Sequence, residues 1–209
     1  MIKHYQMTIL EEFLENTYSS AGITSPHQIT VDELSMRLNV WVHYAEVGSR
    51  ALEAVSGMYS MFINNQLPQD QQRLDFLHEL CHLLRHAGNQ ITMPETFTQM
   101  QELEAEQFVI YAAMPISMIS KLIIPSENNL ATAFLAETFR VPLQLAKLRV
   151  EQINRRINQG RMTAVFNDLS AEQSYQVPCW SAETERILQQ LDRQLIAKGL
   201  PGYEDKGLI

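Results

Sequence analysis

The sequence predicts an α+β fold, mainly helical with one small sheet. Three observations predict it. His78-Glu79-Leu80-Cys81-His82 is flanked by apolar residues at helical spacing (Leu77, Leu80, Cys81, Leu84). Two runs, Asn39 to Ala45 and Val55 to Ile63, are rich in aromatic and β-branched residues and read as strands. The remaining periodic stretches repeat their apolar positions at helical spacing.

Taken in order, Thr8 to Ser19 is a first helix with apolar positions Ile9, Leu10, Phe13 and Leu14. A second runs from Val31 to Leu38, with Thr30 as N-cap and Glu33 completing a capping box. The two strands follow, with Gly48 and Ser49 marking a turn between them. Met58 to Ile63 is the expected sheet edge, beside the loop Asn64 to Pro68. The next helix starts near Asp70, a capping candidate, and ends near Gly88. After a loop containing Pro94, a long helix runs from Glu95 or Phe97 to Ala113.

Composition bounds the function. The chain has 209 residues and a formal net charge of −8, which disfavours a nucleic-acid binder as the whole molecule. No apolar run reaches the length of a membrane span, and the first fifteen residues lack a secretory pattern. The two cysteines, Cys81 and Cys179, make no disulfide framework. A cytoplasmic location is expected.

The chemistry is concentrated in the His78 helix. Four residues advance about 400° on a helix, so His78 and His82 share a face about one turn apart. Two neutral imidazoles so placed can grip one metal ion. Glu79 lies about 60° around the helix from His82, beside such an ion rather than among its ligands, where it can take a proton from a water. A third ligand is expected downstream. In Glu102-Leu103-Glu104-Ala105-Glu106 the first and last glutamates share a face, and Glu104 points roughly the other way. Glu102 is therefore assigned as ligand and Glu106 as the carboxylate that orients a histidine ring, with Glu104 the alternative ligand. His86, one turn beyond His82, either backs the ligands, helps stabilise an oxyanion, or is a histidine favoured by the helix end. Arg85 leans the same way. Tyr44 and Tyr59 are further candidates for oxyanion or substrate contacts.

H-E-x-x-H, then E-x-x-A, then F and a closing M-P, resembles the ImmA/IrrE family of metallopeptidases. The matching residues are His78, Glu79, His82, Glu102, Ala105, Phe108, Met114 and Pro115. The likeness spans roughly Ile29 to Val150. This sequence departs from it at Glu106, where Asn or Asp is usual, and at Cys81, where Gly is common. The resemblance implies a zincin-like core with an exposed sheet edge and a bound Zn2+, with Mn2+ compatible with the same ligands. It also implies a metal-dependent endopeptidase whose substrate is a helix–turn–helix repressor. The alternative reading is an anti-repressor that binds without cleaving, or a DNA-binding regulator.

Residues 1–125 are expected to form this core. Residues 126–161 read as a helix–turn–helix-like unit packed on it: a helix from Asn129 to Thr138, a break at Phe139 to Val141, and a helix from Pro142 to Ile157. Lys147, Arg149, Arg155, Arg156 and Arg161 give its second half a basic character, read as a solvated face rather than a DNA-reading one. Residues 162–209 form a tail, with a loop at Asn167 to Gln176, a capped amphipathic helix from Ser181 to Lys198 and a frayed end.

Overall fold

A computed structural model describes residues 3–54, 58–86, 94–172 and 181–198. The expected strand start at Val55, helix end at Gly88 and frayed end at 199–209 lie outside these residues, as does Cys179. The chain divides into two compact units, 1–165 and 166–209.

The first unit begins with α1 (Ile9–Ser20), capped by the Thr8 hydroxyl, which accepts the Glu11 N–H at 3.1 Å. A 3₁₀ turn (Pro26–Gln28) leads to α2 (Val31–Leu38). Thr30 caps α2 through the Glu33 N–H, but the Glu33 side chain turns away to pair with Arg37 at 2.8 Å, so only half of the expected capping box forms. Asn39 then ends the helix in the left-handed region at φ 57°, a conformation asparagine tolerates.

Three strands form the sheet: β1 (Val40–Ala45), β2 (Arg50–Ala54) and β3 (Met58–Asn64). Their order is β1-β3-β2, with β1 parallel and β2 antiparallel to β3. This corrects two expectations. The sheet holds a strand at Arg50–Ala54 that composition conceals, because Arg, Ala, Leu and Glu are helix formers. Moreover, β3 is central, with Met61 facing Val42 on one side and Ala51 on the other, so it is not an edge. The edges are β1 and β2.

β2 lies beside α3 (Gln69–Arg85). The Ser49 hydroxyl, just before β2, donates to Asp75 at 2.7 Å, and the Ala51 N–H donates to Glu79 at 2.7 Å. Two strand residues advance about 6.6–6.8 Å and four helix residues about 6 Å, so the two clasps match in pitch. Pro68 occupies the N-cap of α3 without a side-chain hydrogen bond, and Asp70 sits inside the first turn, where its charge suits the helix dipole. Phe76, Leu77, Leu80 and Cys81 are fully buried, as the apolar stripe requires.

α4 (Glu95–Ala113) packs along α3, and its Ala105 is fully buried. After Met114-Pro115 come α5 (Ile116–Ile119), α6 (Asn128–Phe139) and α7 (Leu143–Glu172). Ala131, Leu135 and Phe139 of α6 and Ala146, Val150 and Ile153 of α7 belong to the same core as Leu14, Met61, Leu77 and Phe108. Arg140 supplies a left-handed C-cap to α6 at φ 52°, and the buried Arg73 guanidinium donates to the Phe139 and Arg140 carbonyls there. Arg149 is fully buried and paired with Glu11 at 2.5 Å, so it is not part of a solvated basic face.

α7 is longer than predicted. It runs through the expected end at Ile157 and through Asn167 into the second unit. Gly160 sits within it for a packing reason: a Cβ there would lie 1.9 Å from the His4 carbonyl oxygen. The second unit contains the last turns of α7 and α8 (Ala182–Ala197), whose N-cap Ser181 accepts the Thr184 N–H at 3.2 Å. No helix among the described residues is long and apolar enough to cross a membrane.

Candidate metal centre

His78 and His82 project from one face of α3 with ring centroids 4.9 Å apart and planes at 67°. Their Nε2 atoms approach to 3.1 Å. Glu102 reaches across from α4 and places Oε2 at 3.1 Å from His78 Nε2 and Oε1 at 3.5 Å from His82 Nε2. One ligating atom from each of the three residues lies within 4.8 Å of the others. Zinc–nitrogen and zinc–oxygen bonds of about 2.1 Å in a tetrahedron put neighbouring donors about 3.4 Å apart. The observed separations of 3.1–3.5 Å suit such a set.

The electrostatics agree with the geometry. Burial pushes the His82 pKa down to about 4, against the opposing pull of Glu102, so near neutral pH the ring is uncharged and keeps a lone pair. Burial raises the Glu79 carboxyl above its ordinary value, with the Ala51 N–H and His78 working against it. Glu79 is thereby a stronger base than a solvated carboxylate. Its Oε2 is held on the outward side of β2, one residue along α3 from His78.

The other predicted residues divide. His86 caps the end of α3, and its Nδ1 lies 2.8 Å from Nδ1 of His82, on the far side of that ring from Glu102. Glu104 is not the remote residue its helical angle suggested. It bonds Arg85 at 2.7 Å and approaches His86 Nε2 at 3.6 Å. Glu106, expected to orient a histidine ring, is exposed, and the ring contacts fall to Glu102 and Glu104. Glu104 and Glu106 lie about 100° to either side of the fully buried Ala105, and it is the Glu104 side that reaches the end of α3. Arg85 stacks 4.9 Å from the Phe13 ring centroid and is held by Glu104. Tyr59 packs against the apolar core, and Tyr44 lines a depression with Asp70 and Arg73 at the start of α3. Cys81 is fully buried, and burial pushes its thiol up to about 12. Ser49 and Ala51, which clasp β2 to α3, carried no recognisable signal in the sequence.

An H-E-x-x-H helix clasped to a strand, with a glutamate supplied by the following helix, is the arrangement of a metallopeptidase-type site. The family model for the IrrE N-terminal-like domain, Peptidase M78, matches residues 35–151, and the chain belongs to this family. Among curated proteins it is similar to the Phage-like element PBSX protein XkdA of Bacillus subtilis, 38% identical over 147 residues, covering 70% of this chain and 74% of that protein. It is also similar to the uncharacterized protein YqaB of the same organism, 30% identical over 155 residues, 74% of this chain and 90% of that one.

Proposed function

We propose that the chain is a zinc-dependent endopeptidase that cleaves a helix–turn–helix repressor. One observation carries the reading: the convergence of His78 Nε2, His82 Nε2 and a Glu102 carboxylate oxygen, with Glu79 adjacent but outside the set. His78, His82 and Glu102 would hold the ion. When bound, zinc polarises a carbonyl and lowers the pKa of a bound water to about 7. Glu79 accepts the proton of the attacking water and hands it to the leaving amine. β2 is an edge of the sheet, and an extended substrate segment can pair along its outer side beyond Ala51, whose N–H is already held by Glu79. The repressor reading draws on the family and on the name of the relative XkdA, which assigns that protein to a phage-like element.

The test is incubation of the purified protein with the repressor encoded beside its gene, with and without a chelator. Cleavage should stop with the chelator and return with Zn2+. Glu79→Gln should keep its metal and its hold on the repressor yet cleave about 10²–10⁴-fold more slowly. An intact repressor under all conditions would leave binding without cleavage as its mode of action.

A further inference from the structure

We propose that His86 and Glu104 are positioning residues for His82: they fix the tautomer and ring orientation in which His82 Nε2 is a ligand. The inference rests on the metal-centre reading above and assigns what lies behind it. His82 Nε2 faces His78 and Glu102. To offer a lone pair there, the neutral imidazole must carry its proton on Nδ1. That Nδ1–H needs an acceptor, and His86 Nδ1 is 2.8 Å away. Accepting at Nδ1 leaves the proton of a neutral His86 on Nε2. This Nε2 is buried and makes no hydrogen bond shorter than 3.5 Å, and the carboxylate facing it is Glu104 Oε2 at 3.6 Å. A small side-chain adjustment closes that contact. Glu104 is itself anchored through Oε1 by Arg85 at 2.7 Å, and the His86 backbone N–H is tied to the His82 carbonyl at 3.2 Å.

Every donor in the series therefore has one direction: Arg85 and His86 Nε2–H toward Glu104, and His82 Nδ1–H toward His86. Ligating histidines are commonly held through their second ring nitrogen by a carboxylate or carbonyl. Here a histidine is interposed between ring and carboxylate, because Glu104 sits level with the end of α3, one turn beyond His82. The His86 side chain is 7% exposed, which keeps water from replacing it as acceptor.

The experiment measures Zn2+ and Co2+ affinity of the purified full chain by competition with a chromophoric chelator, with the visible spectrum of bound Co2+ as a second readout. His86→Phe keeps a ring but removes the acceptor, and should weaken binding about 10–100-fold and alter the Co2+ spectrum. In His86→Asn the amide oxygen falls near the lost Nδ1, and most of the affinity should return. Glu104→Ala should weaken binding and Glu104→Gln, which keeps an acceptor, should restore part of it. The double change His86→Phe with Glu104→Ala should bind no more weakly than His86→Phe alone, since the two act in series. Circular dichroism and melting of the metal-free proteins check the fold; if Phe is not accommodated, the two Glu104 variants decide. Wild-type affinity in His86→Phe, or equal losses in His86→Phe and His86→Asn, would overturn the positioning role. If His82→Ala also binds Zn2+ like wild type, the metal-centre reading itself is wrong, and the two failures are told apart.

Discussion

The Glu11–Arg149 cluster and the His78–His82–Glu102 cluster both gather titratable side chains from distant parts of the chain, yet their hydrogen-bonding differs in kind. Arg149 donates to Glu11, to Tyr5 Oη, to Gln152 Oε1 and to the Met114 carbonyl. Gln152 in turn donates to Tyr111 and Gln107, and Tyr5 to Glu11. Donors and acceptors are matched, and both charged partners are buried. In the second cluster, two imidazole nitrogens and a carboxylate converge within 3.1–3.5 Å, and the side chains are 13–42% exposed. A matched, sealed cluster holds elements together; a convergent set of lone pairs open to solvent draws a cation. The difference gives each cluster its own way to be broken.

The largest separation is expected from His78→Ala with His82→Ala. Metal binding should vanish, while the metal-free protein keeps its helical content and melts close to wild type, because both side chains are partly exposed. Metal analysis together with a thermal scan checks both halves. Wild-type metal content in the double variant would remove the contrast. Glu102→Ala should weaken metal binding far more than Glu106→Ala, whose side chain is exposed.

Arg149→Ala attacks the other cluster. Removing one partner of a buried ion pair typically costs about 3–5 kcal/mol, because the remaining charge is left without compensation. Here Glu11, Tyr5 and the Met114 carbonyl would all lose a donor. Denaturant unfolding should show that loss, with metal affinity of the folded fraction retained. A change below about 1 kcal/mol would mean the cluster contributes little to stability.

A smaller effect comes with pH. In the metal-free protein, burial lowers His82 to about 4 from an ordinary 6.5. Between these values the unfolded chain binds a proton that the native chain does not, so stability falls as pH drops from about 6.5 to 4 and this contribution is absent above that window. His82→Gln should flatten the slope of stability against pH in that interval. An unchanged slope would show that His82 does not titrate as its burial implies.

The chemical helix α3 was legible because two signals with one period coincide: the ligand face repeats every four residues, and so does the stripe Leu77, Leu80, Cys81 and Leu84. Nothing comparable marks β2. Arg50-Ala51-Leu52-Glu53-Ala54 has helix-former composition, and the strand exists through its pairing with β3 and the clasps from Asp75 and Glu79. The place of Glu106 was misjudged for a related reason. Helical angles relate residues to one another, but which side of α4 faces the end of α3 is set by tertiary packing. Arg149 looked like one more cation on a basic helix, since its partner Glu11 lies 138 residues away.

The length of α7 leads to the smallest expected effect. Glycine within an exposed helix usually costs about 1 kcal/mol relative to alanine, so Gly160→Ala would ordinarily stabilise. Position 160 is buried, however, and an added Cβ would meet the His4 carbonyl oxygen at 1.9 Å, its carbon at 3.0 Å and its Cα at 3.4 Å. These are backbone atoms, and His4 itself holds a positive φ of 65°, so no side-chain rotation relieves the clash. The segment before α1 must move off α7. Overpacking of this kind costs about 1–3 kcal/mol, which outweighs the gain in helix propensity. Gly160→Ala should therefore lower the melting temperature modestly and loosen the first residues, read as faster amide exchange ahead of Thr8. Since Tyr5 lies in that segment and bonds both Glu11 and Arg149, the loss should shrink in an Arg149→Ala background. A stabilised Gly160→Ala variant would show that the close approach of His4 to α7 does not hold the N-terminal segment in place.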